Sequence, residues 1–198
     1  MAPERPVMAP RRPPTPGGVI LAPLSAPLAD GVLARLTMQR DGTASGCIVA
    51  FYAPFMAARA ADDVGAACTA SPTVPARSQP RHTDVDPALL SPDQPFAFWA
   101  QQFLPALAPR RTGITAEGHP VTVLTDSTGC WARAWEEDGF VVSTGGPSDL
   151  WAVVESSYRR WVAAGSPGWE RFGLTVTRTG KTLWLDSPDT PVHSCGEP

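Results

Sequence analysis

The chain has 198 residues, 43% of them hydrophobic, which is enough for one ordinary domain with its own core. Its formal net charge is −3 and its basic residues are scattered, so the basic stripe expected of a nucleic-acid-binding protein is missing. No run approaches the roughly 20 apolar residues of a membrane span. The four cysteines lie far apart, without a compact disulfide or zinc spacing. We therefore expect a cytoplasmic protein with reduced thiols that binds neither nucleic acid nor membrane.

The start of the chain predicts a tail followed by a buried strand. Residues 1–16 hold six prolines and no apolar periodicity, which favours a disordered tail. A continuous apolar run, Val19, Ile20, Leu21 and Ala22, then follows two glycines. Such a run is typical of a strand buried on both faces, so it predicts a central position in a sheet.

A hairpin and a linker are predicted next. Residues 31–40 alternate between apolar and polar, Asp41-Gly42 is a strong hairpin-turn signal, and residues 45–55 supply the returning strand. Residues 59–90 are rich in small and polar residues without periodicity, which favours a linker.

A short helix is expected after the linker. Ser91 is placed to cap it, Pro92 suits its first position, and Gln94 completes a capping box. Pro105 is expected to end it, since proline cannot continue a helix.

The second half of the chain predicts a meander, a helix and a last hairpin. Three short antiparallel strands are expected over residues 121–144. Ser148 is placed to cap a helix with one aromatic face, which Gly165 ends. A hairpin is expected over residues 172–186, and residues 191–198 are expected to fray.

Two stretches near the N-terminus carry a resemblance to a known family. They are Pro16-Gly-Gly-Val-Ile-Leu-Ala-Pro23 and the hairpin with Leu33-Ala-Arg-Leu-Thr37, Asp41-Gly42 and Val49-Ala-Phe-Tyr-Ala-Pro-Phe55. Together they resemble the end of the methyltransferase domain of protein L-isoaspartate O-methyltransferases. In that family a Pro-Gly-Gly turn precedes the fifth parallel strand, and an antiparallel pair closes the sheet.

The C-terminal half is similar to the extra region of longer members of this family, some of which are associated with modified-peptide biosynthesis. The segments that carry this similarity are Gly145-Gly-Pro, Leu150-Trp151, Trp161, Arg171-Phe-Gly-Leu-Thr-Val-Thr177 and Leu183-Trp-Leu-Asp-Ser-Pro188. The resemblance covers roughly residues 13–58 and 120–190, in the family's order.

The residues that would perform the family's chemistry are missing. A Rossmann-like methyltransferase binds S-adenosylmethionine at a glycine-rich first βα turn, with an acidic residue on the ribose. The sequence has no GxGxG and no counterpart of the family's active-site segment. The sequence therefore predicts no catalytic, cofactor-binding or metal-binding residue and no cofactor for this chain alone, although the family uses S-adenosylmethionine.

Other catalytic or metal-binding constellations are disfavoured on spacing. His193 and Cys195 lie in the predicted frayed tail, and a strand separates His119 from Cys130. The stretch after Ser143 lacks the GxSxG order of a nucleophile elbow. Residues 136–138 form an acidic cluster at a hairpin turn, where a solvated role is expected.

The seven tryptophans are the remaining candidates for function. Most are expected in the core, because each ring buries about 150–250 Å². Trp135 and Trp169 are the candidates for a peptide-binding surface, since exposed aromatic residues often anchor interfaces.

The predicted fold class is α+β: a remnant strand plus an antiparallel hairpin of a Rossmann-like methyltransferase sheet, then a small antiparallel sheet with one packed helix. The predicted division is a tail (1–16), the end of a methyltransferase-like domain (17–58), a linker (59–90), a C-terminal α+β region (91–190) and a second tail (191–198).

The expected function is that of a truncated protein L-isoaspartate O-methyltransferase-like protein, non-catalytic alone, which acts as a remnant or accessory module. One alternative is half of a split methyltransferase, and another is a peptide-binding module in modified-peptide biosynthesis. A partner, or self-association, is expected at the open edge of the strand that contains Val19 and Ala22.

Overall fold

A computed structural model describes residues 15–50, 79–104 and 107–195, which form two antiparallel sheets and two α-helices. The predicted α+β class is confirmed at this level. The strands of a six-stranded sheet are β1 (Val19–Ser25), β2 (Asp30–Met38), β3 (Ala44–Ala50), β9 (Phe172–Val176), β10 (Lys181–Leu185) and β11 (Ser187–Cys195). Those of a five-stranded sheet are β4 (Arg81–Thr83), β5 (Arg111–Ile114), β6 (Pro120–Thr125), β7 (Trp131–Glu136) and β8 (Phe140–Gly145). The six-stranded sheet has the order β1-β2-β3-β9-β10-β11, and the five-stranded sheet has the order β4-β8-β7-β6-β5.

The first hairpin forms where the sequence predicts it. β2 pairs with β3 in antiparallel register around the turn at Asp41 and Gly42. The Asp41 carboxylate accepts hydrogen bonds from the backbone N–H and the hydroxyl of Thr43, at 2.9 and 2.8 Å, and the backbone bond from Thr43 is the main reason that the pKa of Asp41 is lowered. Residues 51–55, the predicted end of the returning strand, lie outside the described residues.

The predicted central position of the first strand is wrong. β1 pairs only with β2 among the described strands and lies at the edge of the six-stranded sheet. Its side chains alternate in burial, with Val19 and Leu21 exposed by 53% and 61%. The sequence signal that marks an edge is Pro23, which has no N–H to contribute to a ladder.

The predicted linker over 59–90 contains structure at its end. Residues 51–78 lie outside the described residues, but β4 and a 3-10 turn at Pro87–Leu90 fall within the predicted linker. Val85 and Leu90 are fully buried. The turn forms because the Asp86 side chain accepts a hydrogen bond from the N–H of Ala88 at 2.8 Å.

The first helix begins later than predicted. α1 spans Pro95–Gln101, with Gln94 as its N-cap and no side-chain capping bond. Ser91 instead closes the preceding 3-10 turn, since its N–H donates to the carbonyl of Ala88. α1 ends at Gln101, before Pro105, which lies outside the described residues.

The meander and the second helix are confirmed, with one shift at the helix start. β6, β7 and β8 pair in sequence order, as predicted. α2 (Leu150–Ala163) is capped by Asp149 rather than Ser148, because the Asp149 carboxylate accepts from the N–H groups of Trp151 and Ala152 at 2.9 and 3.1 Å. Gly165 follows the helix with φ of 81°, as a terminating glycine should.

The last hairpin forms between β9 and β10, but the predicted fraying after it is wrong as far as Cys195. β11 pairs with β10 over this stretch, with two register shifts. Arg171 stabilises the turn between β10 and β11, because it donates two hydrogen bonds to the carboxylate of Asp186 at 2.9 and 2.8 Å. These bonds from Arg171 lower the pKa of Asp186.

One core unites the two ends of the chain. β3 pairs directly with β9, so the predicted methyltransferase-like segment and the predicted C-terminal region contribute neighbouring strands of one sheet. α1 connects this sheet to α2, because Phe98 packs edge-on against Phe172 while Phe96 packs against Tyr158 and Trp161. In the described part of the chain, neither helix is long and apolar enough to cross a membrane.

Candidate functional site

Trp135 is half-buried on one face of the five-stranded sheet. It lies in β7 between Val121 of β6 and Val141 of β8, which are directly opposite it in register and are both buried. Its indole N–H donates to the Glu137 carboxylate at 2.8 Å. The ring is therefore held in place at the end of the strand, with part of its surface open.

The alternation of β7 places Trp131 and Arg133 on the same face as Trp135. The opposite face carries Ala132 and Ala134, which belong to the core. We call the face with the two tryptophans the tryptophan face, formed by Trp131, Arg133 and Trp135. A glycine is needed opposite Trp131, because a Cβ on Gly145 would lie 2.6 Å from the indole ring.

The indole N–H of Trp131 is a buried donor without an acceptor among the described residues. The side chain is 4% exposed, and its indole N–H has no hydrogen-bond partner in the described structure. A buried donor without an acceptor costs about 1–3 kcal/mol.

Two arginines lie on the tryptophan face, and the Glu137 carboxylate lies at its edge against Trp135. Val123 of β6 lies opposite Arg133 on one side and Arg111 of β5 on the other, so two arginines share this face one strand apart. Arg133 is half-buried and forms no ion pair with any residue that the structure describes. Tryptophan rings beside a guanidinium group suit a ligand that is both acidic and apolar.

Trp169 lies elsewhere. It begins a 3-10 turn, Trp169–Arg171, that leads into β9 of the six-stranded sheet. Its partly buried ring lies 5.6 Å from that of Phe98 and 6.5 Å from that of Phe172. The two sequence candidates therefore belong to different sheets, and Trp169 packs against the core.

Sequence reasoning missed two of the three residues of the tryptophan face. The spacing Trp131, Arg133, Trp135 within a predicted strand was the available signal, because residues two apart in a strand share a face. Of the other tryptophans, Trp99, Trp151 and Trp184 are buried and Trp161 is partly buried, as expected of core rings.

Within residues 15–50, 79–104 and 107–195, no group of three His, Cys, Asp or Glu residues could hold a metal ion. The side chains of His193 and Cys195 lie outside the described part. Cys130 is buried at the start of β7, where its Sγ accepts from the N–H of Ser148 at 3.3 Å. This thiol joins the β6–β7 turn to the residues before α2.

The most concentrated group of charges is structural. Arg81 donates to Glu155 at 2.5 Å and lies 3.5 Å from Asp149, and the hydrogen bond to Glu155 is the main cause of the raised pKa of Arg81. Thr83 donates to the same glutamate at 2.8 Å and accepts from the indole of Trp151 at 2.9 Å. The network fastens the edge strand β4 to α2.

Comparison of the chain with protein-family models, with curated proteins and with solved structures gives no match in any of the three.

Proposed function

We propose that this chain is a non-catalytic accessory module of a protein L-isoaspartate O-methyltransferase-like protein, and that it holds an acidic, apolar peptide segment on the tryptophan face. In this proposal, β1, β2 and β3 are the remnant of a Rossmann-like sheet. The hairpin that follows the Pro-Gly-Gly turn supports this interpretation, and Gly17 of that turn has φ of 83°. The edge position of β1 departs from the family pattern.

The observation that carries the binding role is the arrangement of β7. Trp135 offers an aromatic surface, and Arg133 offers a cation without a partner among the described residues. Aromatic rings and arginines are the residues that dominate binding energy at protein interfaces. A peptide with carboxylates between apolar side chains complements both.

The first test is peptide binding. We expect an end-capped peptide of alternating Asp and Phe to bind the full chain. Trp135→Ala or Arg133→Gln should weaken binding about 5- to 30-fold, or about 1–2 kcal/mol, as for interface residues that contribute measurably to affinity. Titration calorimetry at low and moderate salt would measure this, with weaker binding at higher salt because the ion pair is exposed.

The control is Arg159→Gln, which removes the same charge from an exposed position on α2. It should leave affinity unchanged. Equal binding of a Lys-Phe peptide, or equal losses in the Arg159 and Arg133 variants, would contradict a specific role of the tryptophan face.

The second test concerns the cofactor. We expect S-adenosylmethionine to leave the melting temperature of the chain unchanged, because the glycine-rich turn and the acidic ribose ligand are missing from the sequence. A cofactor at about 100 times its dissociation constant would add about 2.7 kcal/mol, which raises the melting temperature of a chain of this size by about 5–11 °C. Saturable binding by the chain alone would overturn the non-catalytic role.

A second candidate function, half of a split methyltransferase, is favoured by the outer edge of β1, which no other described strand covers. Val19 and Leu21 are exposed there, and a strand from another chain could extend the sheet at that edge. The same edge would serve self-association of the chain. Cofactor binding that appears only after a GxGxG-containing chain is added, together with protection of the β1 amides from exchange, would favour the split enzyme.

A further inference from the structure

A cleft of about 450 Å³ lies on the inner side of the six-stranded sheet, away from the tryptophan face. Its walls come from the end of β1 and the turn after it, from α1, and from the β9–β10 hairpin. Ser25, Gln101 and Gln102 contribute polar groups to the lining, and its apolar part consists mainly of Leu24, Ala29, Phe98, Leu174 and Leu183. The volume falls in the range of small-molecule sites, about 300–1,000 Å³.

The wall formed by α1 is fixed by a buried glutamine. The Gln101 side chain accepts from the N–H of Leu28 at 2.8 Å and donates to the carbonyl of Leu104 at 3.0 Å. The first bond joins α1 to the turn between β1 and β2. The cleft is therefore preformed, which reduces the ordering cost of binding.

Lys181 supplies the charge at the cleft. The register of β9 and β10 puts Leu183 opposite Leu174, and Lys181 lies two residues before Leu183 on the same face. Lys181 lines the cleft, is exposed, and is the only lysine of the chain. No carboxylate lies within ion-pair distance of it in the described parts of the chain, and no acidic residue lines the cleft.

We infer that this cleft binds a small monocarboxylate with an apolar body, with the carboxylate at Lys181 and the apolar chain over Phe98, Leu174 and Leu183. The inference is independent of the proposed function, because the two sites lie on different sheets and share no residue. Charge complementarity selects an anion, and the apolar lining selects a hydrocarbon body rather than a polar one.

The first experiment uses a series of straight-chain carboxylates from butanoate to decanoate with the full chain. Each buried methylene contributes about 0.8 kcal/mol, so affinity should rise about fourfold per methylene until the cleft is filled and then level off. Calorimetry below the micelle concentration measures this. No binding of octanoate or decanoate would overturn the inference, as would affinity that does not change with chain length.

The second experiment tests the charge. Lys181→Gln should weaken octanoate about fivefold, which corresponds to about 1 kcal/mol for a solvent-accessible ion pair. Lys181→Glu should reverse the preference, so that octylammonium binds better than octanoate. The control is Arg178→Gln, which removes an exposed positive charge from the nearby β9–β10 turn, outside the cleft lining. An equal loss in the Arg178 variant, or no reversal with Lys181→Glu, would overturn the assignment of the carboxylate to Lys181.

The single lysine also reports the location of the ligand. Acetylation of its amine, read by peptide mass, should slow when octanoate is present and should not slow with octanol at the same concentration. Slowing by neither ligand, while calorimetry still shows binding, would place the ligand outside this cleft and overturn the inference. A failed test here leaves the peptide-binding proposal unaffected, since that depends on Arg133 and Trp135.

Discussion

Replacing Trp151 with alanine is expected to lower the free energy of unfolding by about 3–5 kcal/mol, the range for a large aromatic residue removed from a core. The ring is fully buried, and its indole N–H donates to Thr83 at 2.9 Å. The substitution therefore leaves a large cavity and also loosens the contact between α2 and β4. Urea unfolding followed by circular dichroism would measure the change.

The matched control is Val162→Ala on the same helix, where the side chain is 48% exposed. It should change the free energy of unfolding by less than about 0.5 kcal/mol, as surface substitutions do. A loss of less than about 1 kcal/mol for Trp151→Ala would contradict its position in the core. Trp151→Phe should cost less than alanine, because most of the ring volume is kept.

Gly173→Ala is expected to destabilise the six-stranded sheet by about 1–3 kcal/mol, the usual cost of overpacking. A Cβ at this position would overlap the ring of Trp184, which occupies the space above the glycine on the neighbouring strand. Trp184 is buried, and its indole N–H donates to Thr175 at 3.0 Å, so the ring cannot move without losing that bond. Thermal or urea unfolding would give the size of the effect.

A double-mutant cycle with Trp184→Leu separates this clash from other effects of alanine. The smaller side chain leaves room for the methyl group, so Gly173→Ala should cost much less in the Trp184→Leu background than in the unaltered chain. Equal costs in both backgrounds would show that the ring is not what excludes a side chain at Gly173. Gly113→Ala serves as a control, because its Cβ would lie at an ordinary 3.4 Å from Val121.

Local signals predicted the hairpins and the long helix well. Asp41-Gly42 and the β7–β8 turn at Gly139 specify short connections through positive φ, of 84° at Gly42 and 108° at Gly139, and the aromatic period of α2 specifies its buried face. These features depend on residues close together in the sequence. The structure therefore agrees with the prediction there, within one residue at the start of α2.

Two of the wrong predictions, the position of β1 in its sheet and the start of α1, have a different origin. A run such as Val19, Ile20 and Leu21 is equally apolar at the centre or at the edge of a sheet, and only the pairing of distant strands decides which it is. The start of α1 depended on two competing sites, Ser91 and Gln94, and the preceding 3-10 turn occupied the first. Sequence periodicity does not resolve such competition.

The candidate sites also depend on strand pairing that the sequence does not reveal. The sequence offers Trp135 as a candidate through its residue type alone. Arg133 and Trp131 join it only because β7 is a strand, and Arg111 joins them only through the pairing of β5 with β6. The cleft beside Lys181 is still harder to predict from the sequence, because its walls come from residues 23–29, from α1 and from the last third of the chain.

The pairing of β3 with β9 has a consequence for how the chain is made. Ser45 and Thr175, whose hydroxyl groups lie 2.8 Å apart, are separated by 130 positions in the chain. At a synthesis rate of about 5–20 residues per second, β9 leaves the ribosome roughly 7–26 s after β3, and the edge of β3 is without this partner until then. During that time no described strand pairs with either edge of the nascent β1–β2–β3 meander. The nascent chain is therefore most exposed to aggregation, and to holdase chaperones, before its last strands are translated.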